Sequence, residues 1–156
     1  MIRKIFLFLL IVFVCMQLNL AQQNNPAQNK TTNTTTPDYN VALKFLNGYI
    51  ELFNNNNTVK TDEFLKKCGL VTKSFISKYL AYNNDDDLLF DPVVAAEEFP
   101  KEFVLVSTDP KGYVIAKGAG GSVASYKVIV KLIQVNGKWL VDGSGVLNIP
   151  KDKQLK

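Results

Sequence analysis

The amino-acid sequence predicts an α+β domain in which N-terminal helices pack on one side of an antiparallel sheet. Apolar residues between Asp38 and Phe53 recur at the helical spacing of three and four positions. After residue 101 the pattern changes to β-branched and aromatic runs that are separated by turn residues. An order in which helices precede a meander of strands is typical of an α+β domain.

The chain of 156 residues begins with a segment typical of a cleaved secretory signal. Arg3 and Lys4 precede an unbroken apolar run from Ile5 to Met16, and a more polar stretch then leads to Ala21. The run is shorter than the ~20 apolar residues that span a membrane. We therefore expect cleavage near Ala21 and export to the periplasm or the extracellular space. Lipoprotein processing at Cys15 is the alternative.

The rest of the chain divides into a linker, one domain and a tail. Residues 22–37 lack large apolar side chains and are rich in Gln, Asn and Thr, a composition that predicts a disordered polar linker. Residues 38–150 are enough for a single α+β domain with its own core. Residues 151–156 are predicted to be a flexible tail.

The composition excludes several classes of chemistry. The chain has no histidine, and its only arginine, Arg3, lies in the predicted signal. Histidine-dependent catalysis, His-ligated zinc and arginine phosphate clamps are therefore excluded from the mature protein. The formal charge is +4, or about +2 after cleavage, and the lysines are spread along the chain, so we expect no nucleic-acid partner. No cofactor is expected.

Cysteine usage predicts a domain that is held together by its core. Only Cys68 would remain after cleavage, so an intramolecular disulfide cannot form. Its apolar neighbours favour burial of the thiol, and an intermolecular disulfide is the alternative.

Three helices are predicted in the first half of the domain. The first has Thr36 as its N-cap and Pro37 in its first turn. Its apolar face contains Tyr39, Ala42, Leu43, Leu46, Tyr49, Ile50 and Phe53. The second helix is short and runs from a Thr61 cap to Gly69, and the third is capped by Thr72.

Four strands are predicted at residues 102–107, 112–117, 125–135 and 138–142. Asn136-Gly137, between the last two, predicts a two-residue type I′ turn. This turn sets three cross-strand pairs: Val135 with Lys138, Ile133 with Leu140, and Lys131 with Asp142. The core face of the hairpin then contains Tyr126, Val128, Val130, Leu132, Trp139 and Val141, and Asp142 falls on the outer face.

The stretch DPVVAAEEFP, residues 91–100, holds two adjacent glutamates between two prolines. Asp91 is a good N-cap and Pro92 suits the first helical position, so we expect a helix of one to two turns that ends before Pro100. On such a helix Glu97 and Glu98 point about 100° apart, whereas catalytic carboxylates must face each other. We interpret the stretch as structural rather than catalytic.

The same stretch, together with Gly137-Lys138-Trp139-Leu140-Val141-Asp142, resembles a family of small exported bacterial domains of unknown function. These domains are similar in layout to the nuclear-transport-factor-2-like, cystatin-like superfamily. The resemblance covers about residues 38–148 and implies helices packed into a curved antiparallel sheet that leaves a conical pocket. The superfamily includes both enzymes and binding modules, and the resemblance implies no catalytic residues here.

Two other stretches resemble binding motifs only in composition. Asp85, Asp86 and Asp87 are consecutive, whereas a calcium loop spaces its ligands at alternate positions, so no metal site is predicted. The glycines of KGAGGSVAS lack the spacing of a phosphate-binding loop. They predict a flexible hairpin loop, and such loops often form binding edges.

Five aromatic side chains are the candidates for lining a ligand pocket: Tyr49, Tyr82, Tyr113, Tyr126 and Trp139. Core packing with a solvated hydroxyl is the alternative role of the tyrosines. We expect an exported, non-enzymatic domain that binds a small ligand, a glycan or a protein partner, as a monomer or a homodimer. The alternative is a small pocket enzyme of isomerase or lyase type that uses a buried Asp or Tyr; Asp142 is excluded from that role by its predicted outer face.

Overall fold

The computed structural model describes residues 36–55, 58–82 and 90–155. The predicted signal, most of the linker, and the acidic run at 85–87 lie outside these residues. The described part contains three helices, α1 (Asn40–Asn54), α2 (Thr61–Lys67) and α3 (Lys73–Tyr82). Four strands follow: β1 (Glu102–Thr108), β2 (Tyr113–Ala119), β3 (Lys127–Val135) and β4 (Lys138–Ser144). The helices pack against the antiparallel sheet, so the α+β prediction is confirmed.

Helix α1 lies on the sheet with one fully apolar face. Its buried residues are Ala42, Phe45, Leu46, Tyr49, Ile50 and Leu52. Of the four residues predicted to pack on the sheet, Leu46, Tyr49 and Ile50 are buried, whereas Leu43 is only half-buried. The predicted face was wrong at its edges, because Phe53 is 39% exposed and the omitted Phe45 is fully buried. The buried face is rotated toward Phe45 because the sheet, rather than the pattern alone, decides which side of the helix is covered.

Of the three predicted N-terminal capping residues, one caps its helix through its side chain. Thr36 is not the cap of α1: the N-cap residue is Tyr39, which makes no side-chain cap bond. Asp38, just before it, accepts a hydrogen bond at Oδ1 from the Asn40 backbone N–H at 3.2 Å. Thr61 is the first residue of α2 rather than its cap. Thr72 does cap α3, because its Oγ1 accepts a hydrogen bond from the Phe75 N–H at 3.0 Å.

The sheet is a meander in the order β1-β2-β3-β4. Asn136 and Gly137 have φ angles of 50° and 78°, as a type I′ turn requires, and the predicted pairs at Val135 and Ile133 are confirmed. The third pair is wrong: Lys131 lies opposite Gly143, because a bulge shifts the register between Lys131 and Leu132. Asp142 is the extra residue of that bulge.

The core lies between the helices and one face of the sheet. Of the predicted hairpin face, Val128, Val130, Leu132 and Val141 are buried. Trp139 and Tyr126 are only half-buried. At the sheet edge, the Asn47 side chain accepts from the Phe103 N–H at 2.7 Å and donates to the Phe103 carbonyl at 3.1 Å. These two bonds hold α1 beside the outer edge of β1.

Residues 150–154 form a turn beyond the sheet. The Gln154 backbone N–H donates to the Pro150 carbonyl at 3.2 Å, and its side chain donates to the Ile149 carbonyl at 2.9 Å. Within the described ranges, none of the helices combines the length and the apolar character needed to cross a bilayer.

Candidate functional site

Residues 91–96 form a closed loop instead of the predicted short helix. The Asp91 N–H donates to the Ala96 carbonyl at 2.9 Å, and the Ala95 N–H donates to the Asp91 carbonyl at 2.7 Å. Ala95 has a φ of 56°, a left-handed conformation that a helix cannot include. The prediction that Asp91 caps this segment holds locally, since its Oδ1 accepts from the N–H groups of Val93 and Val94 at 2.9 and 3.0 Å.

The loop is held against the end of β4 by a close backbone approach. Ser144 Oγ donates to the Val93 carbonyl at 2.8 Å, and the Val146 N–H donates to the Pro92 carbonyl at 3.0 Å. A Cβ atom at Gly145 would lie 2.6 Å from the Val93 carbonyl oxygen, and Gly145 has a φ of 59°. Only glycine suits this position, which fixes where the loop sits.

A part-buried polar pair links this loop to α1. The Tyr49 hydroxyl donates to Asp91 Oδ2 at 2.6 Å. Burial raises the pKa of Asp91 above its usual range, although the bonds from Tyr49, Val94 and Val93 oppose the shift. Burial and the nearby Asp91 carboxylate likewise raise the pKa of Tyr49 far above its ordinary value. Both Asp91 oxygens are occupied by donors of the fold, which indicates a structural role.

A surface depression lies between the 91–100 loop and the β2–β3 loop. It is open to solvent and has a volume of about 510 Å³, and we call it the loop depression. Its lining is mainly apolar and consists of Phe90, Ala95, Ala96, Glu97, Glu98, Ser122, Val123 and Tyr126. Both stretches were singled out by their prolines and glycines, and the prediction that KGAGGSVAS connects two strands is confirmed.

Hydrogen bonds between the two loops hold the depression in shape. The Tyr126 hydroxyl donates to the Ala95 carbonyl, and Ser122 Oγ donates to Glu98 Oε2 at 2.7 Å. The Lys101 N–H donates to the Gly120 carbonyl at 3.3 Å. The cavity is therefore formed by the fold itself, which lowers the ordering cost of binding.

Glu97 and Glu98 both line the loop depression. The helix from which we predicted that they diverge does not form, so that part of the prediction is wrong. Both residues are exposed, and Glu97 has no hydrogen-bond or ion-pair partner among the described residues. The two carboxylates therefore place negative charge at the rim of an apolar cavity.

The five aromatic candidates occupy separate settings. Tyr49 is a core residue, and Trp139 packs at the edge of the core. Tyr113 lies beneath the Lys131 and Lys153 ammonium groups, at 4.2 and 5.6 Å from its ring centre. Tyr82 lines a groove of about 500 Å³ beside Lys78 and Asn148. Of the five, Tyr126 lines the loop depression.

A further cleft, of about 350 Å³, lies beside α1 and the start of β1. It is lined by Asn47, Glu51, Asn54, Asn55, Lys101 and Glu102. The side-chain amide groups of its three asparagines already form hydrogen bonds within the protein. Asn47 binds the β1 edge, and Asn54 Nδ2 donates to the Pro100 carbonyl at 3.0 Å. Asn55 Nδ2 donates to Glu51 Oε1 at 3.3 Å. This cleft therefore offers a ligand fewer unused polar groups than its composition suggests.

Asp142 does not pair with Lys131 as predicted. Its Oδ1 accepts a hydrogen bond from Thr72 Oγ1 at 2.6 Å, so it supports the cap of α3. Lys131 instead donates to the Lys111 carbonyl, and burial lowers its pKa. The bulge is the reason, because it turns Asp142 out of the predicted register.

Replacing Asp142 by asparagine should change the free energy of unfolding by less than about 1 kcal/mol, because an amide oxygen can still accept from Thr72. Asp142→Ala removes the acceptor and should cost about 1–2 kcal/mol more than Asp142→Asn. Urea unfolding monitored by circular dichroism measures both. Equal losses in the two variants would show that the Thr72 bond contributes nothing.

Among the described residues, Cys68 and the acidic groups are the candidate metal ligands. Cys68 is half-buried, and its Sγ lies 3.6 Å from the Leu65 carbonyl oxygen, so the predicted burial is only partial. Among residues 36–55, 58–82 and 90–155, no group of three or more His, Cys, Asp or Glu side chains is arranged to hold a metal ion.

Several residues of the loop depression were not predicted as site residues: Phe90, Ala95, Ala96, Ser122 and Val123. The sequence drew attention to each of the two loops separately, but no residue pattern in either loop predicted that the two are in contact. Comparison of the chain with models of known families, with curated proteins and with solved structures finds no match.

Proposed function

We propose that this protein is an exported, non-enzymatic binding domain that holds a small ligand in the loop depression. The observation that carries the proposal is an apolar cavity of about 510 Å³ whose shape is set by hydrogen bonds between two loops. Small-molecule sites are typically concave, mainly apolar and of ~300–1,000 Å³, with few polar groups. The export part of the proposal rests on the signal-like N-terminus and cleavage near Ala21.

The packing between α1 and the sheet supports a site on the loops rather than inside the fold. Phe45, Leu46 and Tyr49 are fully buried there, and Val114 and Val130 of the sheet belong to the same core cluster. A ligand in the conical pocket that the family resemblance implies would have to displace these side chains. The loop depression can bind without such a rearrangement.

We also propose that the fold is the nuclear-transport-factor-2-like, cystatin-like roll of the small exported bacterial domains. Three helices that precede a four-stranded antiparallel meander support this assignment. A structure-based superposition on such a roll, with α1 in the concavity, is its direct test.

A pocket enzyme of isomerase or lyase type is the second candidate function. One observation favours it: Asp91 is a half-buried carboxylate with a raised pKa beside the Tyr49 hydroxyl. Asp91 would then be the proton acceptor, since Asp142 Oδ1 already accepts a hydrogen bond from Thr72. The occupied oxygens of Asp91 favour the binding domain over the enzyme.

Organic-solvent mapping by NMR tests the binding proposal. Adding isopropanol to the ¹⁵N-labelled protein should shift the amide signals of residues 95–98 and 122–126 more than other surface signals, because small apolar solvents collect in preformed apolar cavities. Val123→Asp, at the cavity wall, should reduce these shifts. Ile133→Asp, on a half-buried position of β3 outside the depression, is the matched control.

Shifts that are uniform over the surface would contradict the proposal. So would shifts that concentrate in the Tyr82 groove, since the binding site would then be the cavity beside Lys78 and Asn148.

A further inference from the structure

We infer that the loop depression takes a small ligand in which a primary ammonium group is attached to an apolar body; this inference rests on the proposed binding function. The apolar walls and the acidic rim are two independent features of one cavity. The apolar walls favour a ligand with an apolar body, and the acidic rim favours a ligand with a positive charge.

The apolar part of the inference comes from the side chains that form the walls. Ala95, Ala96 and Val123 contribute small aliphatic surfaces, and Phe90 and Tyr126 contribute aromatic ones. Phe90 is 37% exposed, so part of its ring remains available to a ligand. Burial of apolar ligand surface against such walls provides most of the affinity of small-molecule sites.

The charge part comes from Glu97 and Glu98. No lysine lines the depression among the described residues, so its two carboxylate side chains are not balanced by a cation in the lining. The Ser122 hydroxyl holds one oxygen of Glu98 at 2.7 Å, which orients that carboxylate at the rim. Two carboxylates beside an apolar wall attract a cation and repel an anion, because the wall excludes part of the screening water.

Aromatic surface favours the same charge. Ammonium groups bind on the faces of Phe and Tyr rings through their quadrupole, in addition to ordinary ion pairing. Phe90 and Tyr126 therefore add to the preference for a cation that the glutamates create. The volume of about 510 Å³ suits a single small ligand better than a long segment of a protein partner.

Two probes of the same size and opposite charge test the inference. The purified ¹⁵N-labelled protein is titrated with phenethylammonium chloride and, separately, with sodium 3-phenylpropionate. The ammonium probe should shift the signals of residues 95–98 and 122–126 and bind at least about fivefold more tightly than the carboxylate probe. Raising the salt concentration should reduce this preference, since exposed charges are screened.

The double variant Glu97→Gln/Glu98→Gln should lose most of the preference, with ammonium binding weakened about fivefold. Glu102→Gln removes the same charge from an exposed position that does not line the depression and should leave the preference unchanged. Both variants alter surface side chains, so the circular dichroism spectrum should match that of the unaltered protein.

The outcomes separate this inference from the proposed function. Equal binding of the two probes in the depression would overturn the ammonium preference while leaving a binding site there. A preference that survives Glu97→Gln/Glu98→Gln would also overturn it. Absence of shifts with both probes and with isopropanol would overturn the inference and the proposed function together.

Discussion

Replacing Phe45 by alanine is expected to lower the free energy of unfolding by about 3–5 kcal/mol. Phe45 is fully buried between α1 and the sheet, and its ring meets that of Phe75 edge to face at 5.5 Å. Removing the ring leaves a cavity that the neighbouring Tyr49 and Phe75 cannot fill without leaving their own contacts. Urea unfolding followed by circular dichroism measures the loss.

Phe53→Ala is the matched control, because it makes the same change in the same helix. Phe53 is 39% exposed and stacks on Phe99 at 4.2 Å, so its loss should cost only about 1 kcal/mol. If the two variants lost the same stability, the face of α1 that lies on the sheet would have been misassigned.

Replacing Asp91 by alanine is expected to cost about 3–5 kcal/mol. The change leaves the Tyr49 hydroxyl and the N–H groups of Val93 and Val94 without their acceptor. Asp91→Asn is the matched control: its amide oxygen can accept from both N–H groups, and its amide nitrogen can donate to the Tyr49 oxygen. We therefore expect a loss below about 2 kcal/mol for Asp91→Asn at neutral pH.

The stability difference between the unaltered protein and Asp91→Asn should depend on pH. Burial raises the pKa of Asp91 in the folded state above its unfolded value of ~3.9, so the folded state binds more protons in the interval between the two. The contribution of Asp91 to stability is therefore greatest below the unfolded pKa. It falls as pH rises through the folded pKa and is then constant.

Denaturant unfolding at a series of pH values from about 3.5 to 7 measures this difference, and other carboxylates cancel in the comparison. A difference that grows in favour of the unaltered protein as pH rises would contradict the raised pKa. An Asp91→Asn variant more stable than the unaltered protein at pH 7 would favour the enzyme, because residues kept at a cost in stability are typical of functional sites.

The elements that could be predicted are those that local chemistry specifies. Helix α1 follows from apolar spacing over four turns, and the cap of α3 follows from the Thr72 hydroxyl. The turn at Asn136-Gly137 follows from two residues that tolerate a positive φ. Each of these depends on residues close together in the chain, and their order was enough to predict the α+β class.

The candidate site depended on contacts between distant parts of the chain. The Glu97 and Glu98 side chains line one cavity because the 91–96 segment closes on itself and meets the loop that holds Ser122. The capping chemistry of Asp91 was visible, but its second partner, Tyr49, is 42 residues away. No local pattern encodes that bond.

By itself, the sequence determined the fold class, the position of the hairpin turn and the absence of histidine chemistry. Only the tertiary structure decided the bulge at Asp142, the burial of Phe45 in place of Phe53 and the meeting of the two loops. Turn dihedrals and helical spacing are set by neighbouring residues, so they can be predicted along the chain. A bulge, a covered helix face and a loop contact are set by whichever long-range packing buries the most apolar surface while satisfying the backbone hydrogen bonds.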